Sequence, residues 1–321
     1  MKRFVGPVLI LLCTLIWGSA FVAQKTGTEH YAPFTLTCYR NLLAGAFLAV
    51  VIVLRNRIRP RRAAASRTGR ALAAIRTGRA LAARPLTTDL SVFLGGALSG
   101  VVLFAAMATQ QLGIESTTPG VSSFITANYI LIVPFLAWLV GRGCPRRAIW
   151  FGVVLALVGT YLICCCPAAG EGVDGTVGKG ELWTILCAFL FAVQIMVVDR
   201  FASKCDVLVF SMTQLIVAGL CAVPFMLLPS EASRLTLAHF KAGWFSLFYV
   251  GILSSGIAYT LQNLGQARTP PALAALVMSF ESVVGAVSGY LFFGDVLATA
   301  QLVGCALVFT AIVFASVSDA H

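Results

Sequence analysis

The sequence predicts an all-α polytopic membrane protein whose ten transmembrane helices form two inverted-topology repeats of five helices each. Three observations predict this fold class: the composition, ten apolar windows and an internal repetition. Of the 321 residues, 59% are hydrophobic and only 11% are charged, whereas a soluble globular protein carries about 25% charged residues. Because so little polar surface cannot cover a soluble protein, the chain is expected to lie in a lipid bilayer.

Ten windows of the chain are apolar and close to the roughly 20 residues that a helix needs to cross a bilayer. The first window follows Lys2 and Arg3, as in a signal peptide, but it lacks a convincing small-residue cleavage site and is long enough to span. We therefore interpret it as the first membrane helix. The windows cover residues 5–24, 34–54, 90–112, 118–141, 148–167, 182–199, 207–228, 243–264, 271–293 and 297–317.

Lysine and arginine are distributed unequally between the two sides of the predicted bundle. The side that holds the N-terminus and every second loop receives eighteen of them, and the other side receives four. Ten of the eighteen lie between Arg55 and Arg84, and eight against four remain without them. Since cytoplasmic loops are rich in lysine and arginine, we expect a multi-pass protein of the cell membrane with both termini cytoplasmic. The net charge of +11 is therefore local and does not indicate nucleic-acid binding.

The sequence repeats internally. The stretch QQLGIESTTP at residues 110–119 aligns with QNLGQARTPP at 262–271, a spacing of 152, whereas Gly45 and Gly219 match earlier in the halves at a spacing of 174. The difference of 22 residues predicts a basic cytoplasmic insertion at about 55–86 in the first repeat. We expect repeats at 1–168 and 181–321, joined by an extracytoplasmic linker at 169–180. An odd number of helices per repeat inverts the second copy, and such folds bind substrate near the membrane midplane between the copies.

The insertion contains RTGRALAAI at 67–75 and RTGRALAAR at 76–84, which are identical at eight of nine positions. Nine residues turn an α-helix by a net 180°, so the arginines of the two copies would face opposite ways. We therefore expect a solvated loop rather than an amphipathic helix on the membrane surface.

Cofactor and metal motifs are not convincing. GEGVDG at 170–175 matches a dinucleotide-binding string, but it follows a membrane helix rather than a strand. The ten cysteines include no C-x-x-C pair, and only three histidines accompany them. We expect no cofactor and no metal site.

Two charged residues lie deep within predicted membrane helices. Arg40 and Glu281 are placed roughly 9–10 Å and about 15 Å from the surfaces at which their helices begin, at a similar depth in a core of about 30 Å. Charged groups at such depth usually face a cavity or a partner. Arg40 could bind a substrate carboxylate or form an ion pair, or it could snorkel or lock its helix. Glu281 could couple transport to protons, or it could only hold helices together.

Other residues at comparable depth could line a substrate pathway, although interhelical hydrogen bonding is the commoner role of a single Asn or Gln in a membrane helix. Trp17 adds a broad apolar face, and the polar members are Asn41, Asn128, Tyr129, Gln194 and Gln214.

Three segments carry a family resemblance: LIWGSAFV at 15–22, YRNLL at 39–43 and SFESVVGAVSGYLFFGD at 279–295. Together they resemble the EamA-domain proteins of the drug/metabolite transporter superfamily. Ser282 stands where the family often has proline, and Asp295 replaces the more usual glutamate. The resemblance implies a ten-helix secondary transporter that exports or exchanges amino acids, related metabolites or small amphiphilic compounds, without choosing among them.

The expected function is secondary transport of a small organic metabolite, amino-acid-like, by alternating access. The expected partners are this small-molecule substrate and the lipid bilayer; substrate identity, direction, driving ion and oligomeric state stay open. Multidrug or amphiphile efflux is the alternative, although the first helix lacks the acid on which small multidrug exporters rely. A non-transporting membrane sensor or scaffold is a remote alternative. An intramembrane enzyme would need a second acid or a metal cluster near Glu281, so an enzyme is not expected.

Overall fold

The computed structural model describes residues 5–77, 90–141, 147–165, 177–201, 206–232, 236–269, 277–278, 280–294 and 297–319, and all regular structure within these ranges is helical. Within these ranges, seven helical runs are long and apolar enough to cross a membrane. Shorter apolar helices, Trp150–Leu162, Phe280–Phe293 and Thr299–Ala311, lie in the remaining three sequence windows. The chain is therefore an all-helical, multi-pass membrane protein, and the number of ten spans stays a prediction.

The part of the first half that the structure describes contains six helices. Helix α4 begins at a proline after Thr118, whose hydroxyl accepts a hydrogen bond from the Val121 amide at 3.3 Å. The predicted span at 118–141 is divided at Asn128, where α4 ends and α5 begins. The helices are α1 (Val5–Thr28), α2 (Pro33–Thr77), α3 (Leu90–Ser116), α4 (Pro119–Ala127), α5 (Tyr129–Leu139) and α6 (Arg147–Cys165).

Helix α2 continues well beyond its membrane-length part, which ends at Ile58. The first copy of the nonapeptide, at 67–75, is thus helical, and the expectation of a solvated loop is wrong as far as Thr77. Alanine, leucine and arginine dominate this stretch and are strong helix formers. Most of the second copy, from residue 78, lies outside the described residues, as do residues 169–176 of the predicted linker.

Among the described residues of the second half, there are seven α-helices and one π-helical segment. The π-helical segment lies between α10 and α11, and the three form one continuous run, Leu237–Gln266. The elements are α7 (Lys179–Phe201), α8 (Val207–Met226), α9 (Pro229–Ala232), α10 (Leu237–Phe248), the π-helical segment (Tyr249–Ala258), α11 (Tyr259–Gln266), α12 (Phe280–Phe293) and α13 (Thr299–Asp319).

Helices of the first half pack mainly against helices of the second. Helix α3 lies against α7 and α8, α2 lies against α8 and the π-helical segment, and α1 lies against α12. Helix α6 pairs with α13, where Gly159 faces the Gly304 carbonyl. The buried core is therefore shared by the two halves.

Two glycines set the contact between α2 and α8, and the contact is reciprocal. A Cβ at Gly45 would lie 2.5 Å from Cγ1 of Ile216, and a Cβ at Gly219 would lie 2.7 Å from Cδ2 of Leu42. Leu42 and Ile216 are 174 residues apart, as are Gly45 and Gly219. Exchanging the two halves therefore turns one contact into the other.

A second reciprocal contact lies at the ends of the helices. A Cβ at Gly113 would lie 3.0 Å from the Gly180 carbonyl oxygen, and a Cβ at Gly265 would lie 3.1 Å from the Gly6 carbonyl oxygen. Gly113 and Gly265 have the spacing of 152, and Gly6 and Gly180 have the spacing of 174. Such reciprocal pairs are expected between two copies related by a two-fold axis.

Candidate functional site

A small cavity lies where the two halves meet. Its volume is about 20 Å³, enough for one or two water molecules. Helix α1 contributes residues at spacings of three, four and seven, which places them on one face of the helix. The lining residues are Trp17, Ala20, Phe21, Gln24, Arg40, Gln110, Thr126, Tyr129, Phe191, Gln194, Ile195, Ser254, Tyr259, Gln262, Met278 and Glu281.

Twelve of these sixteen residues form pairs at the two spacings that relate the halves of the sequence. Equivalent positions of the two halves therefore face the same space, as expected if the cavity lies on the axis that relates two copies. The pairs at a spacing of 174 are Trp17/Phe191, Ala20/Gln194 and Phe21/Ile195; those at 152 are Gln110/Gln262, Thr126/Met278 and Tyr129/Glu281.

Arg40 of α2 is 3% exposed and binds three neutral groups. Its Nε donates to Ser255 Oγ at 3.0 Å, its Nη1 to Gln24 Oε1 at 2.9 Å and its Nη2 to Ser254 Oγ at 3.1 Å. Among the described residues, no carboxylate lies within ion-pairing distance of the guanidinium. The guanidinium at the cavity wall is therefore held by three neutral side chains.

The π-helical segment brings two adjacent serines to the same guanidinium. It also fixes Trp17, whose Nε1 donates to the Ser254 carbonyl oxygen at 3.0 Å. The indole packs on Tyr259, with ring centroids 4.8 Å apart. π-helical turns often occur at functional sites, and this one positions both a charged and an aromatic part of the cavity wall.

Glu281 lies in the first turn of α12 and is 4% exposed. Its Oε2 accepts a hydrogen bond from the Tyr129 hydroxyl at 3.1 Å. Glu281 and Arg40 line the same cavity but do not form an ion pair with each other. The cavity therefore has a cationic part on the first half and an acidic part on the second.

The EamA-like transporter family matches residues 4–165 and, separately, residues 178–317. The chain belongs to the EamA-like transporter family. An EamA protein with this many apolar helices is a membrane transporter rather than an enzyme.

Relatives of this EamA protein span most of its length. It is 21% identical over 316 residues to an uncharacterized transporter of Archaeoglobus fulgidus, covering 98% of this chain and 87% of the relative. A chloroplastic WAT1-related protein of Arabidopsis thaliana is 22% identical over 307 residues, covering 92% of this chain and 66% of the relative. A solved crystal structure shares the fold, with a TM-score of 0.66, 18% identity and 98% coverage of both chains.

Five of the eight residues predicted to line the pathway of this EamA protein face the cavity: Trp17, Arg40, Tyr129, Gln194 and Glu281.

The other three do not face it. Asn41 Nδ2 donates to the Thr37 carbonyl oxygen at 2.7 Å and lies 3.2 Å from Met107 Sδ. Asn128 Nδ2 donates to Thr160 Oγ1 at 2.9 Å, which ties the α4–α5 break to α6. Gln214 is fully buried on α8 outside the lining. Depth alone cannot distinguish a residue that faces a cavity from one that faces a neighbouring helix.

Sequence reasoning missed several lining residues, among them Gln24, Gln110, Gln262, Ser254 and Tyr259. A signal existed for two of them, because Gln110 and Gln262 were already matched in the repeat alignment. Gln24 lies seven residues after Trp17, on the same face of α1. The serines could not be found in this way, because their placement depends on the π-helical turn.

Proposed function

We propose that this EamA protein is a secondary transporter of the cell membrane that exports or exchanges a small, amino-acid-like metabolite by alternating access. The observation that carries the proposal is the guanidinium of Arg40, which is buried at the cavity wall and has only neutral partners among the described residues.

A buried cation without a counter-charge is costly, and buried charges in proteins are normally paired. A carboxylate is a suitable partner, because its two oxygens match the fork of N–H donors on arginine. Arg40 uses one hydrogen-bonding contact from each of its three nitrogens, and its two terminal nitrogens carry further N–H groups. We therefore infer that Arg40 binds the carboxylate of the substrate.

The cavity of about 20 Å³ is too small for an amino acid, so the substrate must enter through a rearrangement of the helices. The reciprocal glycine contacts and the paired lining residues support two inverted copies, which can rock against each other to open the cavity to either side. The distribution of basic residues supports cytoplasmic termini. Alternating access between these copies is the mechanism that we propose.

Glu281 supports a proton-linked version of this transport. It is an acid on the opposite half from Arg40, it lines the cavity, and its described side-chain partner is a neutral tyrosine. An acid that faces the pathway can carry a proton in one direction of the transport cycle. Glu281→Gln keeps a hydrogen-bonding group at Tyr129 and removes the titratable group.

The test is amino-acid flux in proteoliposomes. Vesicles with the protein and vesicles without it are loaded with each of the common amino acids in turn. Counterflow of the labelled amino acid is then measured. We expect at least one amino acid to move only with protein, and a pH gradient to drive it in the wild type but not in Glu281→Gln. If flux in the Glu281→Gln variant responds to pH like that of the wild type, Glu281 has no part in coupling.

Efflux of amphiphilic or drug-like compounds is the second candidate, and the aromatic part of the wall favours it. Trp17, Phe21, Tyr129, Phe191 and Tyr259 offer flat apolar faces. Transport of an uncharged amphiphile does not need the charge of Arg40. Flux that survives Arg40→Gln for such compounds, with no amino acid transported, would favour this candidate.

A further inference from the structure

Gln194 is another polar group of the cavity wall, and the roles already given to Arg40 and Glu281 do not involve it. It lies on α7 with 0% of its surface exposed, and neither its Oε1 nor its Nε2 has a hydrogen-bond partner. Its side chain lines the cavity. A buried amide with both ends unpaired is uncommon in proteins, because an unmade hydrogen bond in the interior is costly.

Packing does not explain an amide at this position. Its neighbours on the same face of α7 are Phe191 and Ile195, which are apolar. The equivalent position on α1 is Ala20, which lines the cavity between Trp17 and Phe21. The same helix face is therefore built with a small apolar residue in one half and with a polar amide in the other.

We propose that Gln194 is a specificity-determining contact of the substrate site, and that the substrate is a small carboxylate that also carries a hydroxyl or carboxamide group. The carboxylate binds Arg40, and the second group binds the amide of Gln194. A hydroxyl or a carboxamide suits this amide because each can donate to Oε1 and accept from Nε2. An ammonium group can only donate, so it would leave Nε2 unpaired. This inference rests on the proposed transport of carboxylates.

Gln214 provides a matched control. It is also fully buried with both amide atoms unpaired, but it lies outside the cavity lining. Substituting each glutamine by methionine, which has a similar length and no amide, removes the same hydrogen-bonding groups. Only the substitution at the cavity should then change which substrate is preferred.

The experiment uses pairs of carboxylates that differ mainly in one hydrogen-bonding group. The pairs are threonine and valine, tyrosine and phenylalanine, glutamine and methionine, and lactate and propionate. Binding to the purified full-length protein is measured by competition, and transport by counterflow in proteoliposomes. A site built to bind a hydroxyl or amide discriminates strongly against the analogue without it.

We expect the wild type to prefer the hydroxyl or carboxamide member of at least one pair by about tenfold or more. Gln194→Met should reduce this preference to near unity without lowering the affinity for the analogue that lacks the hydroxyl or carboxamide. Gln214→Met should retain the preference of the wild type. If Gln194→Met does not fold, Gln194→Ala reproduces the residue of the equivalent position and serves instead.

Two results would overturn the inference alone. They are transport of carboxylates with no preference in any pair, and a preference that survives in the Gln194 variants; either result removes Gln194 from recognition and leaves the proposed function intact. If no carboxylate binds or moves, both the inference and the proposed function fail.

Discussion

Arg40 and Glu281 show what single residues contribute to this transporter. The sequence predicts that both lie at membrane depth, because each residue of an apolar helix advances about 1.5 Å along the helix axis. It is not sufficient to name their partners. Ser254 and Ser255 reach Arg40 from a helix more than 200 positions away in the chain, and no local pattern identifies them.

The first residue-scale prediction concerns Arg40→Lys. Lysine keeps the charge, but all of its donors lie on one ammonium group. That group cannot bind Gln24, Ser254 and Ser255 and at the same time hold both oxygens of a carboxylate. We expect the KM for the transported carboxylate to rise by about tenfold or more while the protein remains folded. Counterflow at graded substrate concentrations measures this, with Arg57→Lys, an exposed position on α2, as the control. An unchanged KM would exclude carboxylate binding by Arg40.

The second residue-scale prediction concerns the ion pair between Arg55 and Asp206, which joins α2 to the start of α8. Arg55 Nη1 lies 2.8 Å from Asp206 Oδ2. Partial burial alone would raise the pKa of Asp206, but the hydrogen bond and charge of Arg55, with backbone amides, outweigh it and lower that pKa below its ordinary value. A carboxyl group whose pKa is lower in the folded state stabilises the fold at pH values above its unfolded-state pKa of about 4. This stabilisation is lost as the pH falls through the folded-state pKa.

Asp206→Asn should therefore lower thermal stability at pH 7 by at most about 1 kcal/mol, since both side chains are partly exposed. Asparagine can still cap α8, where Asp206 accepts from the Leu208 amide, so the substitution isolates the charge. Melting of the detergent-solubilised protein between pH 3 and pH 7 measures it. The difference from the wild type should shrink below pH 4; a constant difference would assign the effect to something other than the carboxylate charge.

At the scale of elements, hydrophobic windows predict where helices lie but not where they break. Each of the ten windows contains a described helix. The break at Asn128 and the π-helical segment Tyr249–Ala258 could not be predicted, since a helix changes its hydrogen-bonding pattern in response to tertiary contacts. Asn128 bonds to α6 and the π-helical segment bonds to Arg40. At the break and at the π-helical segment, the bundle departs from continuous, regular α-helices.

The element-scale prediction concerns the reciprocal contact of α2 with α8. Gly45→Ala would place a methyl group 2.5 Å from Ile216 Cγ1, and overpacking of this kind costs about 1–3 kcal/mol. We expect a lower melting temperature and slower transport. Ile216→Ala in the same chain should restore part of the loss by making room for the methyl group. If Gly45→Ala alone is as stable as the wild type, close approach of these helices is not needed.

At the scale of the whole molecule, the two halves are similar in framework and different in chemistry. Cavity positions repeat at the spacings of 174 and 152, but Tyr129 is matched by Glu281 and Ala20 by Gln194. The sequence predicts the repeat because framework glycines recur at the same spacings in both halves. The site could be predicted only in part, because cavity residues differ between the copies and their directions depend on packing.

The whole-molecule prediction concerns the insertion that makes the halves unequal. Deleting residues 62–84 removes most of the helical extension of α2 up to Thr77 together with positions outside the described residues. The cavity-lining residues that the structure describes all lie elsewhere in the chain. We expect the shortened protein to reach the membrane and to transport at a rate within about twofold of the wild type. The measurement is counterflow normalised to the amount of inserted protein. Loss of transport by correctly inserted protein would give the insertion a role in the transport cycle.

The most direct test of the central claim, that the cavity between the halves is the substrate site, combines binding and flux in Arg40→Gln. The amino acid transported by the wild type is used as the probe, and Arg57→Gln serves as the matched control. We expect Arg40→Gln to remain folded, to lose binding by at least about thirtyfold and to lose counterflow, whereas Arg57→Gln retains both. If folded Arg40→Gln binds and transports the amino acid like the wild type, the cavity between the halves is not the substrate site.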